Sequence, residues 1–194
     1  LCVVSPIKYD IAGPVKTSSV TKTTDNKNYI YSIIQKIPNN YYGYALKFAN
    51  YSGTLYNSIS ISDTFDEKLT NIDKNKITIV NEKGLDVTKY FGISLSEVNG
   101  KIKLVATISN SNSDNFISKV DFYNHTYKVN VPVTTKDKIN KNKISNKAST
   151  TVDSDTNNIL ESNNVDVDVY YTVTVNHIDE YNNAILKTTT DEVI

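Results

Sequence analysis

Apolar and polar residues alternate with period two along most of this chain, and no stretch beyond a turn or two repeats them at helical spacing. A strand sends successive side chains to opposite faces, so such a pattern specifies half-buried strands and little else. Tyr29-Ile30-Tyr31-Ser32-Ile33-Ile34, Ser58-Ile59-Ser60-Ile61-Ser62, Lys76-Ile77-Thr78-Ile79-Val80 and Tyr127-Lys128-Val129-Asn130-Val131 all read this way. Turn signals separate them: Thr24-Asp25-Asn26, Pro38-Asn39-Asn40, Glu82-Lys83-Gly84, Asn99-Gly100 and the run from Asn110 to Asn115. Asn99-Gly100, between residues 93–98 and 101–108, predicts a two-residue hairpin, because both turn positions need left-handed backbone. Strands recurring roughly every 8–15 residues without helices between them predict an all-β, Ig-like sandwich.

Composition removes several functions. The 21 basic residues are all Lys and are balanced by 21 acidic ones, with no basic cluster. That excludes the electrostatic footprint of a nucleic-acid binder. Without Arg the chain also lacks a planar fork for bidentate phosphate recognition. No apolar run approaches about 18 residues, so no membrane insertion is expected. One Cys cannot form an internal disulfide, and metal-ligand spacing is absent, so neither metal nor cofactor is expected. No Gly-rich phosphate loop or nucleophile elbow is present, which argues against a turnover enzyme. The chain starts at Leu1 without Met and is expected to be a piece of a longer tandem protein. Residues 1–10 read as the tail of a preceding repeat or linker, 11–169 as one complete domain, and 170–194 as the beginning of another. A monomer is expected.

Three strand positions break the rule that polar residues face outward. Alternation puts Asp63 on the face of Ile59, Ile61 and Phe65, Asn146 on that of Ile144, Ala148 and Val152, and Lys16 on that of Pro14, Ser18 and Val20. A charge buried without a partner is costly, so such groups pair, shift their pKa or react. In a dry core a Lys tends toward the neutral amine and a carboxyl toward the protonated acid. A neutral amine beside an Asn carboxamide, with a protonated Asp donating to it, can form an isopeptide bond with loss of ammonia. The competing reading is a buried Lys–Asp ion pair with Asn as a hydrogen-bond partner, or surface exposure of Lys16.

An ordered series of segments resembles the isopeptide-forming domains of Gram-positive surface adhesins, of the antigen I/II C-terminal type. The pieces are Gly13-Pro14-Val15-Lys16-Thr17, Tyr29-Ile30-Tyr31-Ser32-Ile33, the segment from Ile59 through Asp63-Thr64-Phe65 to Leu69, and that from Ile79 through Gly84-Leu85-Asp86 to Phe91. Tyr127-Lys128-Val129-Asn130-Val131-Pro132-Val133, Ile144-Ser145-Asn146-Lys147-Ala148-Ser149 and Ser162-Asn163-Asn164-Val165 complete it. The resemblance implies Lys16 as nucleophile, Asp63 as proton shuttle and Asn146 as acyl partner. It further implies a stalk or adhesin domain at the extracellular cell wall, whose full-length protein engages a host surface glycan or protein. Fallbacks are Lys22 for Lys16, Asp66 or Glu67 for Asp63, and Asn142 for Asn146. The segment from Tyr171 through His177-Ile178-Asp179-Glu180 to Asn182-Asn183 resembles the opening of a mucin-binding (MucBP) repeat.

The main alternative is a sandwich that binds a host glycan or protein without a cross-link. Tyr41-Tyr42-Gly43-Tyr44 could stack on a sugar or pack over one end of the sandwich. Asp153-Ser154-Asp155, or Asp166 with Asp168, could be considered for calcium, but neither matches an ordered ligand loop; a hairpin turn and a solvated strand face fit better. A thioester would need Cys2 with Gln35, and Cys2 lies outside the complete domain and reads as a small buried hydrophobe. His125 and His177 have no convergent acidic or thiol partners in sequence and read as strand-surface residues.

Overall fold

The computed structural model describes residues 11–38, 58–66, 70–109 and 125–194. Among these, regular structure consists of strands and two single-turn 3-10 helices. The strands are β1 (Val15–Ser18), β2 (Lys22–Thr23), β3 (Asn28–Ile37), β4 (Ser58–Asp66), β5 (Thr70–Ile72), β6 (Thr78–Asn81), β7 (Gly92–Val98) and β8 (Lys101–Ser109). They continue with β9 (His125–Thr135), β10 (Lys143–Asn146), β11 (Ala148–Val152), β12 (Leu160–Glu161), β13 (Val165–Val169), β14 (Tyr171–Ile178) and β15 (Ile185–Val193). One sheet runs β1-β3-β9-β5, with β6 also paired to β9, and a second runs β12-β11-β4-β8-β7. A small third sheet runs β10-β13-β2, and β14 pairs with β15. The all-β sandwich expected from alternation is the architecture observed.

The core lies where the alternating faces meet. β3 contributes Tyr29, Tyr31, Ile33 and Ile37, β9 contributes Tyr127, Val129, Val131 and Val133, and the opposing sheet supplies Ile59, Ile61, Phe65, Leu104, Ala106 and Ile108. Burying each large apolar side chain is worth about 1.5–3 kcal/mol. A one-residue slip of any central strand would move its whole set to solvent, which fixes the register. The β7–β8 hairpin has Asn99 and Gly100 at φ 52° and 69°, the left-handed pair that the dipeptide predicts. Ile139, Ile144 and Val169 form a separate small apolar cluster.

One strand start differs from the sequence reading. Lys76 and Ile77 do not open β6, because Lys74–Lys76 forms a 3-10 turn capped by the Asp73 side chain, which accepts from the Asn75 N–H. β13 starts at Val165, after Asn163, which bonds the Lys16 backbone, and Asn164, which donates to Asp166. Residues 1–10 with Cys2, Asn39-Asn40, the tyrosine cluster 41–44, Glu67 and the run 110–115 lie outside the described residues. Following residue 169, Tyr171 Oη donates to the Ile139 carbonyl and Lys22 pairs with Glu192, so the β14–β15 hairpin touches the sandwich at both points.

Candidate functional site

Lys16, Asp63 and Asn146 are buried, at 1%, 1% and 7% exposure. Each is a polar residue on the inward face of its strand, as period two requires. They come from three sheets. Lys16 stands opposite Ile33 on edge strand β1, Asp63 is central in β4, and Asn146 closes β10, opposite Val165. Lys147 then breaks the strand, and β11 begins with Ala148 in register with Asp63. Asn146 is thereby delivered to the side of Asp63, and β1 brings Lys16 in from the other layer.

Lys16 Nζ donates to Asp63 Oδ2 in a fully buried ion pair. The ammonium position lies 4.4 Å from the Tyr31 ring centroid and 5.1 Å from that of Phe65, so aromatic walls surround the amine. Burial dominates both pKa values: it lowers that of Lys16 despite the pull of Asp63, and raises that of Asp63 to about 6 despite Lys16. Asn146 and the Thr64 N–H also pull the Asp63 value down, so the Asn146 carboxamide lies within range of the same carboxylate. By hydrogen-bond geometry, however, Asp63 Oδ1 is buried without a partner among the described residues. An unpaired buried carboxylate oxygen favours protonation, which turns it from an orphan acceptor into a donor.

The fallback residues are elsewhere. Lys22 is exposed on β2, where it meets Glu192 and lies 5.3 Å from the Tyr170 ring centroid. Asn142 is exposed and precedes β10, its carbonyl accepting from Val169 N–H. Asp66 is half-buried at the end of β4, opposite Lys101. Gln35 is buried, but its side chain is consumed by Thr150 Oγ1 and the carbonyls of Ala12 and Lys36. Asp153 and Ser154 adopt positive φ in a turn, and Asp153 Oδ1 accepts from the Ser58 N–H. Asp166 accepts from Ser145 and Lys143 across the β10–β13 ladder, and Asp168 is half-buried opposite Lys143. His177 is exposed opposite Lys187. His125 corrects the sequence reading, since its Nδ1 lies 3.0 Å from Glu82 Oε1: the β6–β9 pairing supplies an acidic partner from 43 residues away.

Sequence reasoning missed the role of Asn163. Its carboxamide accepts from the Lys16 N–H and donates to the Lys16 carbonyl, both at 2.9 Å. Ser162 and Ala148 are bonded as closely: the Ala148 N–H donates to Ser162 Oγ and the Ser162 N–H to the Ala148 carbonyl, each at 2.9 Å. The only sequence signal was Ser162-Asn163-Asn164 just ahead of a strand.

A cleft of about 600 Å³ lined by Ser19, Ile30, Asn71, Asp73, Lys76 and Pro132 shares no residue with this site. Among curated proteins, none matches the chain in sequence. Solved structures match its fold. The Corynebacterium diphtheriae major pilin SpaA aligns at 15% identity and TM-score 0.63, over 85% of this chain and 40% of that one. The C-terminal domain of the Streptococcus pyogenes antigen I/II-family protein AspA aligns at 14% and 0.56, over 80% and 46%. The Streptococcus agalactiae AgI/II polypeptide BspA C-terminal domain aligns at 13% and 0.54, over 89% and 55%. The chain thus spans about half or less of the length of these structures. The family model for the cell surface antigen I/II C2 terminal domain matches residues 14–169, a span that contains Lys16, Asp63 and Asn146. The chain belongs to the cell surface antigen I/II C2 terminal domain family, and has the β-sandwich fold seen in pilins and antigen I/II proteins.

Proposed function

We propose that residues 11–169 are a structural stalk domain of a bacterial cell-surface adhesin, closed by an amide that forms between Lys16 and Asn146 with Asp63 as proton shuttle. The observation that carries this is the fully buried Lys16–Asp63 pair, with buried Asn146 two residues before Ala148, the register partner of Asp63. A proton first passes from the Lys16 ammonium to Asp63, leaving a neutral amine and a neutral acid, the direction that burial favours for both groups. The amine nitrogen attacks Asn146 Cγ while Asp63 donates to the carboxamide. The new Nζ–Cγ bond forms, the Cγ–Nδ2 bond breaks, and Asp63 relays a proton from the attacking nitrogen to the departing one. Ammonia leaves, and Asp63 ends as the neutral acid, keeping the proton it first took from the Lys16 ammonium. Packing holds the reactants together, which is worth roughly 7–11 kcal/mol of barrier for well-aligned groups.

The bond would enclose about 130 residues, from 16 to 146. By analogy with a disulfide, closing such a loop stabilises the fold by about 4–5 kcal/mol. A chain with one Cys thereby gains a covalent staple. The SpaA structure, which points to a modular pilus assembly stabilizing isopeptide bonds, supports this reading by likeness of fold. A surface location and a host glycan or protein as partner of the full-length adhesin belong to the same proposal. Residues 170–194 open a further, mucin-binding-type repeat in this reading, supported by β14 and β15 forming a two-stranded sheet of their own among the described residues. Intact mass spectrometry tests the bond: the purified chain is expected about 17 Da below its sequence mass, the loss of one ammonia. An unshifted mass would leave an uncross-linked sandwich.

A further inference from the structure

Among the described residues β1 is the edge strand of its sheet, so one side of its backbone faces no neighbouring strand there. At Lys16 that gap is filled by a side chain. The Asn163 carboxamide accepts from the Lys16 N–H and donates to its carbonyl, reproducing the two bonds a neighbouring strand would make. The preceding residue grips the other half of the site. Ser162 exchanges two hydrogen bonds with Ala148, the register partner of Asp63 and two residues beyond Asn146, and Ser162 Oγ also donates to the Asn163 carbonyl at 2.7 Å. Two consecutive residues therefore span from the nucleophile's strand to the start of β11, which pairs with the acid's strand and follows the acyl partner's. The approach is close on the N-terminal side as well, since a Cβ at Gly13 would overlap the Glu161 carbonyl oxygen.

We infer that Ser162 and Asn163 form a brace that positions Lys16 for the cross-linking reaction, with Asn163 setting the height of the amine over the Asn146 carboxamide. This rests on the proposed Lys16–Asn146 bond. None of the brace's atoms exchanges a proton with the reacting groups, so both are positioning residues. A lysine on an unbraced edge strand can shift or fray, and an ångström of misplacement costs such a reaction about a hundredfold. Once the amide exists the covalent bond holds β1 in place, so the brace matters most before bond formation.

The test follows the roughly 17 Da loss with time in full-length chains made by cell-free synthesis and quenched in acid, for wild type, Asn163→Ala and Ser60→Ala. Ser60→Ala removes a bond of similar kind, to Thr107 Oγ1 at 2.8 Å, away from the brace. Wild type and Ser60→Ala are expected to convert together, with Asn163→Ala slower by about tenfold to a hundredfold. Asn163→Asp, which keeps the acceptor and loses the donor, is expected between them and serves should the alanine variant not fold. Asn163 variants as fast as wild type would overturn the brace while leaving the cross-link intact. Equal slowing of Ser60→Ala would reduce the effect to general stability and also overturn it. A wild type that never loses mass would remove the cross-link itself, and the brace's purpose with it.

Discussion

Asp63→Ala is expected to leave the chain at its full sequence mass and to lower its stability by several kcal/mol. Two losses combine. Without the carboxyl, no group accepts the Lys16 proton or relays it to the leaving nitrogen, so the amide and its roughly 4–5 kcal/mol of loop closure are absent. The Lys16 amine is also left buried among Tyr31 and Phe65 with no oxygen partner. Removing one member of a buried ion pair typically costs about 3–5 kcal/mol, softened here because the amine can shed its proton. The two terms share residues and will not simply add. Intact mass and denaturant midpoints read both effects. Asp66→Ala, at the half-buried end of the same strand, is expected to keep the mass loss. A cross-linked Asp63→Ala protein would show that another group carries the proton.

The second large effect is mechanical. In a sandwich pulled from its two ends, tension would enter near β1 and leave through β13. With Lys16 joined to Asn146, the load crosses from β1 directly into the end of β10, then runs along β11, β12 and β13. Everything between residues 16 and 146 is excluded from the load path. Unfolding of the wild type by single-molecule stretching should therefore release less chain than unfolding of Asn146→Ala. The missing length is about 130 residues at 3.3–3.6 Å each, or roughly 430–470 Å. Residues 147–169 lie outside the loop and stay extensible in both proteins. Equal extensions would mean that the wild type carries no bond across those strands.

The three central residues were legible because strand parity is strict: a polar residue in phase with Ile59, Ile61 and Phe65 has to face inward, and Asp63 does. The fallbacks Lys22 and Asn142 are exposed for local reasons. β1 ends at Ser18, so Lys22 belongs to a new short strand beside β13, and β10 starts only at Lys143, after Asn142. Periodicity assigns a face only while the strand continues. It also says nothing about neighbours distant in sequence. The rings beside the Lys16 amine come from β3 and β4, and Glu82 reaches His125 through the β6–β9 pairing. Asn163 was the hardest to foresee, because it precedes its strand and acts through its carboxamide on another residue's backbone. The family resemblance placed that tripeptide in the series but gave no reason for it.

Peptide mapping of the denatured wild-type chain tests the Lys16–Asn146 bond at residue level. Trypsin cleaves after free lysines but not after one whose amine has become an amide, so a bond at Lys16 would suppress cleavage there. A branched product is expected in which residues 9–22 are joined to residues 144–147, about 17 Da lighter than the two peptides together, with fragment ions placing the junction at Lys16 and Asn146. Recovery of a linear peptide ending at Lys16, together with unmodified Ile144-Ser145-Asn146-Lys147, would contradict the cross-link.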